Sequence, residues 1–356
     1  METRLTLCFG TRPQVIKASV VLDALRARWP VTALDTGQHY DFELNGLLYR
    51  ELSIPRPDHF LGVGSGEPVE QTAAVLTRTA ESLRRQRPAA VVVIGDTNST
   101  LGAALAACKE GIPLIHVEAG LRAAEAHLPE EANRRVVDVL AHVLCAPSHS
   151  AAARLAAEGV PGSIMTTGDV ARDALARHLK FAPPPLVGGA FALTTLHRAA
   201  LTADPEALRS AVSALGELGM PVLFPVHPRT RQALERFGLM SHVPASVSLI
   251  RPMGYLEAIA AVRDAAVVVT DSGGLQREAY WLRTPCVTLR AETEWRETVE
   301  CGANALVAPL EAPGRLGKVA ADQRRRRQEA AWIPDAYGDG QAAGRIVAAA
   351  EGLVER

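Results

Sequence analysis

Cysteine is scarce in this 356-residue chain, which has five, an odd number, at wide spacings. No two of them form a Cys-x-x-Cys pair, so the spacing predicts neither a disulfide framework nor a zinc site. Each lies in or beside an apolar run, which favours buried thiols in a reducing compartment. The five are Cys8, Cys108, Cys145, Cys286 and Cys301.

The chain also lacks a long apolar run and an excess of either charge. No segment reaches the roughly 18 to 20 apolar residues that a membrane-spanning helix needs. The first residues have the pattern of a strand rather than of a leader peptide. Lysine and arginine total 38 against 39 aspartate and glutamate, so no global field favours nucleic acid or an anionic membrane. We expect a cytoplasmic protein whose compact substrate is bound by local charge.

Two kinds of cofactor motif are missing as well. No Gly-x-Gly-x-x-Gly fingerprint occurs, so nicotinamide redox chemistry is disfavoured. The glycine-rich segment 62–66 follows no clear strand, and we interpret it as a flexible loop. His116 and Glu118 are two residues apart, which predicts that they share one face of a strand, and a metal site with Asp96 is conceivable. However, no His-x-x-His or His-Glu-x-x-His spacing supports it. We expect a reaction that needs neither a metal nor a cofactor.

The pattern that is present is an alternation of short Val-, Ile- and Leu-rich runs with Ala- and Leu-rich helical stretches. It predicts an α/β fold of parallel sheets with helices on both faces. Proline and glycine break the pattern at 181–189, which predicts a linker between two doubly wound domains, 1–180 and 181–335, with a last helix in 336–356. Such domains would place a ligand cleft at the carboxyl ends of their strands. The predicted elements are strands at 5–9, 31–36, 91–95, 114–117, 191–196, 222–226, 247–250, 267–270 and 286–289, and helices at 14–28 and 69–87.

The stretch AVVVTDSGGLQRE, residues 266–278, joins a predicted strand to the start of a helix through a Ser-Gly-Gly turn. Such a turn aims backbone N–H groups and a positive helix end at one point, which favours an anion such as phosphate. Glu278 follows one turn later, where its carboxylate could accept hydrogen bonds from sugar hydroxyls. The alternative is an ordinary strand-to-helix turn.

Charged residues follow other predicted strands. Arg12 and Lys17 lie at the helix after the first strand and suit an anionic contact, with plain surface charges as the alternative. Asp96 and Glu118 follow strands that are expected to be neighbours, so their carboxylates should reach the same edge. Glu130 opens a further helix together with the next glutamate, and for that pair helix capping is the alternative to catalysis.

Two histidines follow predicted strands of the second half. His197 and Arg198 come after one strand, and His227 comes after the next. A lone histidine is most often structural, but two imidazoles at neighbouring strand ends suit proton transfer or phosphate binding near neutral pH.

In order along the chain, these motifs resemble the non-hydrolysing UDP-N-acetylglucosamine 2-epimerase family over nearly its whole length. The resemblance implies two Rossmann-like domains of the glycosyltransferase B type, with the C-terminal helix crossing back to the first domain, and a homodimer. The motifs are GTRPQVIK (10–17), TGQHYD (36–41), GDTNSTL (95–101), HVEAGLR (116–122), PEEANRR (129–135), TGDVARDAL (167–175), HPRT (227–230), TDSGGLQREA (270–279) and TLRAETEW (288–295).

The resemblance also implies residue roles. The diphosphate would be held by Ser272, Gly273 and Gly274, and the ribose hydroxyls by Glu278. Asp96, Glu118, Glu130 and His197 match the acid–base and leaving-group residues. Gln38 and His39 match a region near a second, activating substrate site. Further contacts to the nucleotide sugar are implied for Arg12, Lys17, Arg122, Arg198, His227 and Arg290.

The implied chemistry explains the many carboxylates. The C2 proton of an N-acetylhexosamine has no adjacent carbonyl to acidify it, so direct abstraction is hard. In the family, UDP leaves C1 while a carboxylate removes the C2 proton, and UDP then adds back to the 2-acetamidoglucal after protonation on the other face. This route needs acids and bases on both faces of the ring and firm retention of UDP.

The sequence departs from the family pattern in places. After His197 the usual polar run is replaced by Arg198-Ala199-Ala200-Leu201, and Arg277 stands where an acid is common. Other details are closer to the branch that acts on UDP-2,3-diacetamido-glucuronic acid. The alternatives are therefore an epimerase of such a modified sugar, a hydrolysing epimerase, a glycosyltransferase, and a UDP-sugar sensor without catalysis.

Overall fold

The structure, a computed structural model, describes residues 3–38, 42–123, 128–185, 187–328, 332 and 336–355, without the side chains of 42–45 and 47. The chain forms two compact units. The first combines Met1–Arg177 with Pro334–Arg356, and the second is His178–Ile333. No helix in the described part of the chain is both long and apolar enough to cross a bilayer.

The first unit is built on a parallel sheet with the strand order β3-β2-β1-β4-β5-β6-β7. Its central strands are buried along their whole length, because helices cover both faces of a parallel sheet. The strands are β1 (Leu5–Phe9), β2 (Val31–Asp35), β3 (His59–Phe60), β4 (Ala90–Ile94), β5 (Leu114–Val117), β6 (Val143–Ala146) and β7 (Ser163–Thr166). The helices between and after them are α1 (Arg12–Arg26), α2 (Phe42–Glu51), α3 (Pro68–Gln86), α4 (Asn98–Lys109), α5 (Pro129–Leu140), α6 (His149–Glu158) and α7 (Val170–His178).

The second unit repeats the architecture with the strand order β10-β9-β8-β11-β12-β13, again all parallel. The strands are β8 (Ala192–Thr195), β9 (Val222–Pro225), β10 (Val247–Ile250), β11 (Val267–Thr270), β12 (Cys286–Thr288) and β13 (Asn304–Leu306). The helices are α8 (Ala199–Ala203), α9 (Pro205–Ala214), α10 (Pro228–Arg236), α11 (Tyr255–Asp264), α12 (Gly273–Trp281), α13 (Arg296–Glu300) and α14 (Leu316–Arg325).

The predicted strands are confirmed, each to within one residue at either end, and the α/β class with them. Four strands of the described chain were not predicted, namely β3, β6, β7 and β13. β3 has only two residues, β7 is mostly exposed, and β6 is a short apolar run that the prediction overlooked. The helix expected at 14–28 begins earlier, at Arg12, because Pro13 is tolerated in a first helical turn. The linker segment 181–189, described except for Leu186, contains the end of a short 3₁₀ helix and no other regular element.

The glycine-rich segment 62–66 corrects another expectation. It was predicted to be a flexible loop that follows no strand, but β3 ends at Phe60, just before it. Val63 N–H donates to Thr36 O at 2.9 Å and Gly64 N–H to Gly37 O at 2.8 Å. These bonds extend the pairing beyond β2, so the segment is anchored beside the carboxyl edge of the first sheet.

The last described helix, α15 (Ala342–Val354), belongs to the first unit and packs on α1 and β6. The segment before it crosses the turn after β7, where Asp169 N–H donates to Tyr337 O at 2.9 Å. At the crossing a Cβ on Gly338 would lie 2.7 Å from the Gly168 Cα, and both glycines have positive φ. Only glycine at both positions lets the two backbones approach so closely.

The cysteine prediction holds for four of the five residues. Cys8, Cys145, Cys286 and Cys301 are buried, and burial raises the pKa of the first three thiols to about 12. Cys108 is exposed near the C-terminus of α4, which corrects the expectation that every thiol is buried.

Candidate active site

The carboxyl edge of the first sheet brings Asp96 and Glu118 to neighbouring positions. Strands β4 and β5 pair in parallel with Ile94 opposite Val117; Glu118 follows β5 directly, and Asp96 follows β4 after one glycine. Glu118 Oε2 lies 2.5 Å from Lys17 Nζ of α1, and the two side chains are only 5% and 10% exposed. The predicted neighbourhood of the two strand ends is confirmed, and Lys17 joins it from the adjacent helix.

Glu118 itself has an unusual backbone. The strand was expected to include it, but β5 ends at Val117 and Glu118 adopts a φ of 70°, which a side chain with a Cβ rarely takes. Its amide and that of Ala119 both donate to Cys145 O at 3.1 Å. Positive φ in a non-glycine residue costs free energy, and such strain is concentrated at functional sites.

Asp96 is held by α5. Arg134 donates from Nε at 2.9 Å and from Nη2 at 2.5 Å to the same carboxylate oxygen, and Asn133 Nδ2 donates to Asp96 O at 2.9 Å. Sequence reasoning assigned no role to Arg134, although it lies in the PEEANRR motif. The ion pair fixes the direction of the Asp96 side chain.

Gln14 connects the turn after β1 with the turn after β4. Its Oε1 accepts from the amides of Gly10 and Thr11, at 2.8 and 3.1 Å. Its Nε2 donates to Ile94 O at 2.6 Å and to two threonine hydroxyls at the start of α4. The buried carboxamide therefore links the segment that carries Arg12 to the segment that carries Asp96.

The two acids at the start of α5 differ in environment. Glu130 is exposed in the first helical turn. Glu131 is buried and faces Arg134 and Arg135, at 3.3 and 3.2 Å, while it also accepts from Ala123 N at 2.9 Å. Glu131 thus has a structural role, and only Glu130 presents its carboxylate to solvent.

The remaining predicted residues of the first unit lie along the same edge or behind it. Arg12 opens α1 and is partly exposed. Gln38 is buried, and its Oε1 accepts from Ser99 N at 2.9 Å and from Ser99 Oγ at 2.7 Å. His39 lies outside the described residues. Arg122 is enclosed by carboxylates, with Asp138 at 2.8 Å among them.

The conceivable metal site at Asp96, His116 and Glu118 does not form. His116 is fully buried and bonded to Asp138 and to a backbone carbonyl, while the two carboxylates face Arg134 and Lys17. The expected shared face of His116 and Glu118 is wrong, because Glu118 lies past the strand end with a different backbone conformation. Within the described ranges no group of three His, Cys, Asp or Glu residues could hold a metal ion.

In the second unit the Ser-Gly-Gly turn begins α12 directly after β11. Ser272 is the N-cap, and its Oγ accepts from Leu275 N at 3.3 Å. Gly273 and Gly274 form the first helical positions, and a Cβ on Gly273 would lie 2.9 Å from a carboxylate oxygen of Glu294. Glu278 is half-buried one turn later. The helix N-terminus presents backbone donors and a positive dipole end.

Asp271, between β11 and this turn, organises the segment after β8. Its Oδ2 accepts from the amides of His197 and Arg198, each at 2.8 Å, and its Oδ1 lies 3.3 Å from the His197 ring. Burial would raise the pKa of Asp271, but these contacts outweigh burial and lower it. Sequence reasoning left Asp271 out of the site.

His197 and His227 are brought together as predicted. Strands β8 and β9 are neighbours, and the two ring centroids lie 6.0 Å apart. His197 is 40% exposed in its side chain, whereas His227 Nδ1 caps α10 by accepting from Arg229 N at 3.2 Å. Both residues reach the surface, since His227 is exposed and His197 is partly exposed.

Glu294 joins two of the predicted arginines. Its carboxylate lies 2.7 Å from Arg290 Nη1 and 3.4 Å from Arg198 Nη2. Burial would raise the pKa of Glu294, but the two guanidinium groups outweigh burial and lower it to about 2. Sequence reasoning assigned no role to Glu294: the i,i+4 spacing from Arg290 could have indicated that pair, whereas Arg198 is far away in the sequence.

The structure shows the surroundings of the residues that depart from the family pattern, Arg277 and residues 199–201. The Arg277 guanidinium lies over the Trp295 ring, 3.9 Å from its centroid, in a cation–π contact. Ala199 and Ala200 are exposed in α8, and Leu201 is buried beneath them. Ala199 and Ala200 thus present only methyl groups at that surface.

A comparison with known protein families identifies the family to which this chain belongs. Residues 23–351 match the family described as UDP-N-acetylglucosamine 2-epimerase. The chain belongs to this family. It is therefore an isomerase of the UDP-sugar 2-epimerase type, as the motifs predicted.

Individual relatives extend over most of the chain. A UDP-N-acetylglucosamine 2-epimerase homolog of Methanococcus maripaludis is 41% identical, covering 84% of this chain and 87% of the relative. The UDP-2,3-diacetamido-2,3-dideoxy-D-glucuronate 2-epimerase of Pseudomonas aeruginosa is 39% identical, covering 95% of this chain and 96% of the relative.

Solved structures give the same family and fold. The UDP-GlcNAc 2-epimerase of Methanocaldococcus jannaschii, in complex with UDP-GlcNAc and UDP, has a TM-score of 0.88 at 35% identity, covering 98% of this chain and 99% of that one. The calicheamicin glycosyltransferase CalG4 has a TM-score of 0.54 at 14% identity, a likeness of fold alone. The predicted glycosyltransferase B type of fold is confirmed.

Proposed function

We propose that this epimerase interconverts UDP-N-acetylglucosamine and UDP-N-acetylmannosamine without hydrolysis. The observation that carries the proposal is the similarity to the Methanocaldococcus enzyme, whose structure was solved with UDP-GlcNAc and UDP. UDP leaves C1 with loss of the C2 proton, and it returns to the glucal after protonation on the opposite face. The reaction is redox-neutral, since the elimination and the addition restore the same bonds.

The second unit holds the leaving group in this proposal. The N-terminus of α12, with Ser272, Gly273 and Gly274, binds the diphosphate, and Glu278 accepts from the ribose hydroxyls. His197 and His227 provide further donors to phosphate. Retention of UDP through the intermediate separates epimerisation from hydrolysis.

The first unit supplies acids and bases. Asp96, Glu118 and Glu130 transfer protons at C2 or assist departure of UDP, and Lys17 holds Glu118 in place from 2.5 Å. Arg12, partly exposed at the start of α1, contacts the nucleotide sugar.

The other residues predicted to contact the nucleotide sugar are either partly exposed or buried in ion pairs. Arg198, partly exposed beside Glu294, binds substrate directly. Arg122 and Arg290 are buried in ion pairs, so we propose that they fix the segments around the site. Gln38 and His39 stay predictions for an activating site, and the exposed Ala199 and Ala200 argue for weak activation there.

Incubation of the purified protein with UDP-GlcNAc in deuterium oxide tests the proposal. We expect deuterium at C2 of recovered substrate and a UDP-ManNAc product. Accumulation of free UDP with free sugar would instead identify a hydrolysing epimerase, and an acceptor-dependent product with retained C2 configuration would identify a glycosyltransferase. Tight binding of UDP-GlcNAc with no exchange would favour the sensor.

A second candidate substrate is UDP-2,3-diacetamido-glucuronic acid. It is favoured by the Pseudomonas relative, which matches this chain over 95% of its length. The same exchange experiment with both nucleotide sugars, compared through kcat/KM, decides between them. A higher kcat/KM for the diacetamido sugar would replace UDP-GlcNAc as the substrate.

Assembly and location stay predictions. We propose a cytoplasmic homodimer that supplies an activated amino sugar for carbohydrate biosynthesis. Light scattering after size-exclusion chromatography measures the mass, for which the dimer predicts twice the 37.9 kDa of one chain. A mass of one chain at working concentration contradicts the dimer.

A further inference from the structure

His116 lies between two hydrogen-bond acceptors in the interior of the first unit. The residue is fully buried in β5. Its Nδ1 is 2.7 Å from Asp138 Oδ1, and its Nε2 is 2.8 Å from the carbonyl oxygen of Gly95. A carbonyl oxygen can only accept, and an ionised carboxylate can only accept. Both ring nitrogens of His116 therefore face groups that require a hydrogen-bond donor.

The surroundings of Asp138 keep its carboxyl group ionised. Its second oxygen, Oδ2, accepts from Gly120 N at 3.2 Å and lies 2.8 Å from Arg122 Nη1. Burial alone would raise the pKa of Asp138, but His116 and Arg122 outweigh burial and lower it. Gly120 N–H and the Arg122 guanidinium both face Oδ2 whatever the charge of His116, so they favour an ionised Asp138 over a protonated one that donates to a neutral imidazole.

We infer that His116 is an imidazolium cation in the folded protein, and that it is a positioning residue for the carboxylates of the epimerase reaction. A neutral imidazole carries one N–H and would leave a lone pair facing an acceptor in the protein interior. The positioning role rests on the proposed function, whereas the inferred charge of His116 does not.

The contact fixes the turn that carries Asp96. Gly95 has a φ of 73°, its amide donates to Val117 O at 2.9 Å, and its carbonyl accepts from His116. Asp138 lies on α5, the helix that also holds Asp96 through Asn133 and Arg134. One charged contact therefore fixes β5, the end of β4 and α5, the three elements from which the proposed carboxylates extend.

Charge is balanced around the buried cation. Arg122 shares Asp138 with His116 and is paired in turn with Glu158 at 2.5 Å and Glu131 at 3.7 Å. Glu131 also faces Arg134 and Arg135 of α5, and Arg134 faces Asp96 in turn. The four cations of this cluster, His116 included, are therefore matched by four carboxylates.

Nuclear magnetic resonance of the full chain labelled with ¹⁵N-histidine tests the charge state. Long-range ¹H–¹⁵N spectra report whether each ring nitrogen carries a proton. We expect one histidine to carry protons on both ring nitrogens at about pH 7.5, and Asp138→Asn to convert that ring to the neutral form. If every histidine ring carries a single proton under these conditions, the inference is wrong.

Kinetics of His116→Gln test the positioning role. We expect kcat to fall about 10²-fold, as for a small misplacement of catalytic groups, with KM for the nucleotide sugar changed less than about threefold. His142→Gln, on the exposed residue that precedes β6, is the matched control and should keep the kcat of the wild type. A raised KM with unchanged kcat would overturn the positioning role.

Two further outcomes keep the inference testable. If His116→Gln does not fold, Asp138→Asn replaces it, since that change keeps the shape and removes the charge that holds the ring protonated. It should then lower kcat in the same way, and an unchanged kcat would contradict the inference. If the wild type epimerises no UDP-sugar, the proposed function fails, while the spectra still decide the charge of His116.

Discussion

At the scale of residues, a few long-range side-chain contacts set the geometry of each sheet edge. Gln14 links two turns that are about eighty residues apart in the sequence. Lys17 and Glu118, further apart still, form a nearly buried ion pair. Breaking a buried pair leaves an uncompensated charge, which is costly. These contacts make the position of each carboxylate depend on a partner from another element.

The proposed acid–base residues give the first prediction. Asp96→Asn, Glu118→Gln and Glu130→Gln should each lower kcat about 10²- to 10⁴-fold, as expected for general acid–base groups. Glu131→Gln is the neighbouring control: it should lower stability, because Glu131 is buried among arginines, more than it lowers kcat. Steady-state kinetics and urea unfolding measure both effects. Near-normal rates in all three variants contradict the assigned roles.

Glu294 gives a pH-dependent prediction. Its pKa is lowered on folding, to about 2, so its ion pairs stabilise the protein fully above its ordinary value of 4.5 and lose that effect as the pH falls toward 2. Glu294→Gln should be less stable than wild type near neutral pH, with the difference narrowing between about pH 5 and pH 2. Urea unfolding over this range measures it. A difference that stays constant with pH contradicts the lowered pKa.

At the scale of elements, the start of α12 both packs against neighbouring side chains of the second unit and forms the proposed diphosphate site. The two glycines are not equivalent. A Cβ on Gly273 would meet Glu294 at 2.9 Å and Trp295 at 3.3 Å, whereas a Cβ on Gly274 has only Ser272 Oγ nearby, at 3.8 Å. Gly273 is needed for packing within the second unit, and Gly274 is open toward solvent.

Alanine at the two positions separates these roles. Gly273→Ala should destabilise the protein by about 1–3 kcal/mol through overpacking. Gly274→Ala should change stability by less than about 0.5 kcal/mol, since it adds a helix-favouring side chain at an open position, and should weaken UDP binding by obstructing the helix N-terminus. Calorimetric titration with UDP and denaturant midpoints measure both. Unchanged UDP affinity of Gly274→Ala would place the diphosphate elsewhere.

The sequence predicted the elements and the strand-end residues better than their partners. The apolar runs of the central strands predicted their positions, but β3 has two residues and leaves no such signal. Asp96, Glu118 and His197 could be placed at strand ends because the local pattern marks the strands before them. The pairs of Arg134 with Asp96 and of Glu294 with Arg198 join residues distant in sequence, and no local pattern encodes them.

At the scale of the whole molecule, the last part of the chain completes the unit that the first part begins. Asp173 on α7 accepts from the amides of Ala342 and Ala343, at 3.2 and 2.8 Å, and so caps α15. The crossing of Gly168 and Gly338 lies just before it in the chain. The terminal helix is thus docked by backbone approach, capping and apolar packing on α1 and β6.

The glycine crossing gives the prediction at this scale. Gly338→Ala should destabilise the first unit by about 1–3 kcal/mol or more, because its Cβ meets the Gly168 backbone and its φ is 87°. Gly340→Ala is the matched control: its φ is 85°, but nothing lies within 4 Å of an added Cβ. Thermal unfolding compares them. Equal losses would show that backbone conformation alone, and not the close approach, is responsible.

The division of the chain has a consequence for synthesis on the ribosome. The second unit is one continuous segment, so all of its strands and helices are made before α15. The strands of the first unit precede that segment, yet α15, which covers α1 and β6, follows it. Domains normally fold in the order of their synthesis; here the first unit cannot cover α1 and β6 with α15 until the whole second unit has been made.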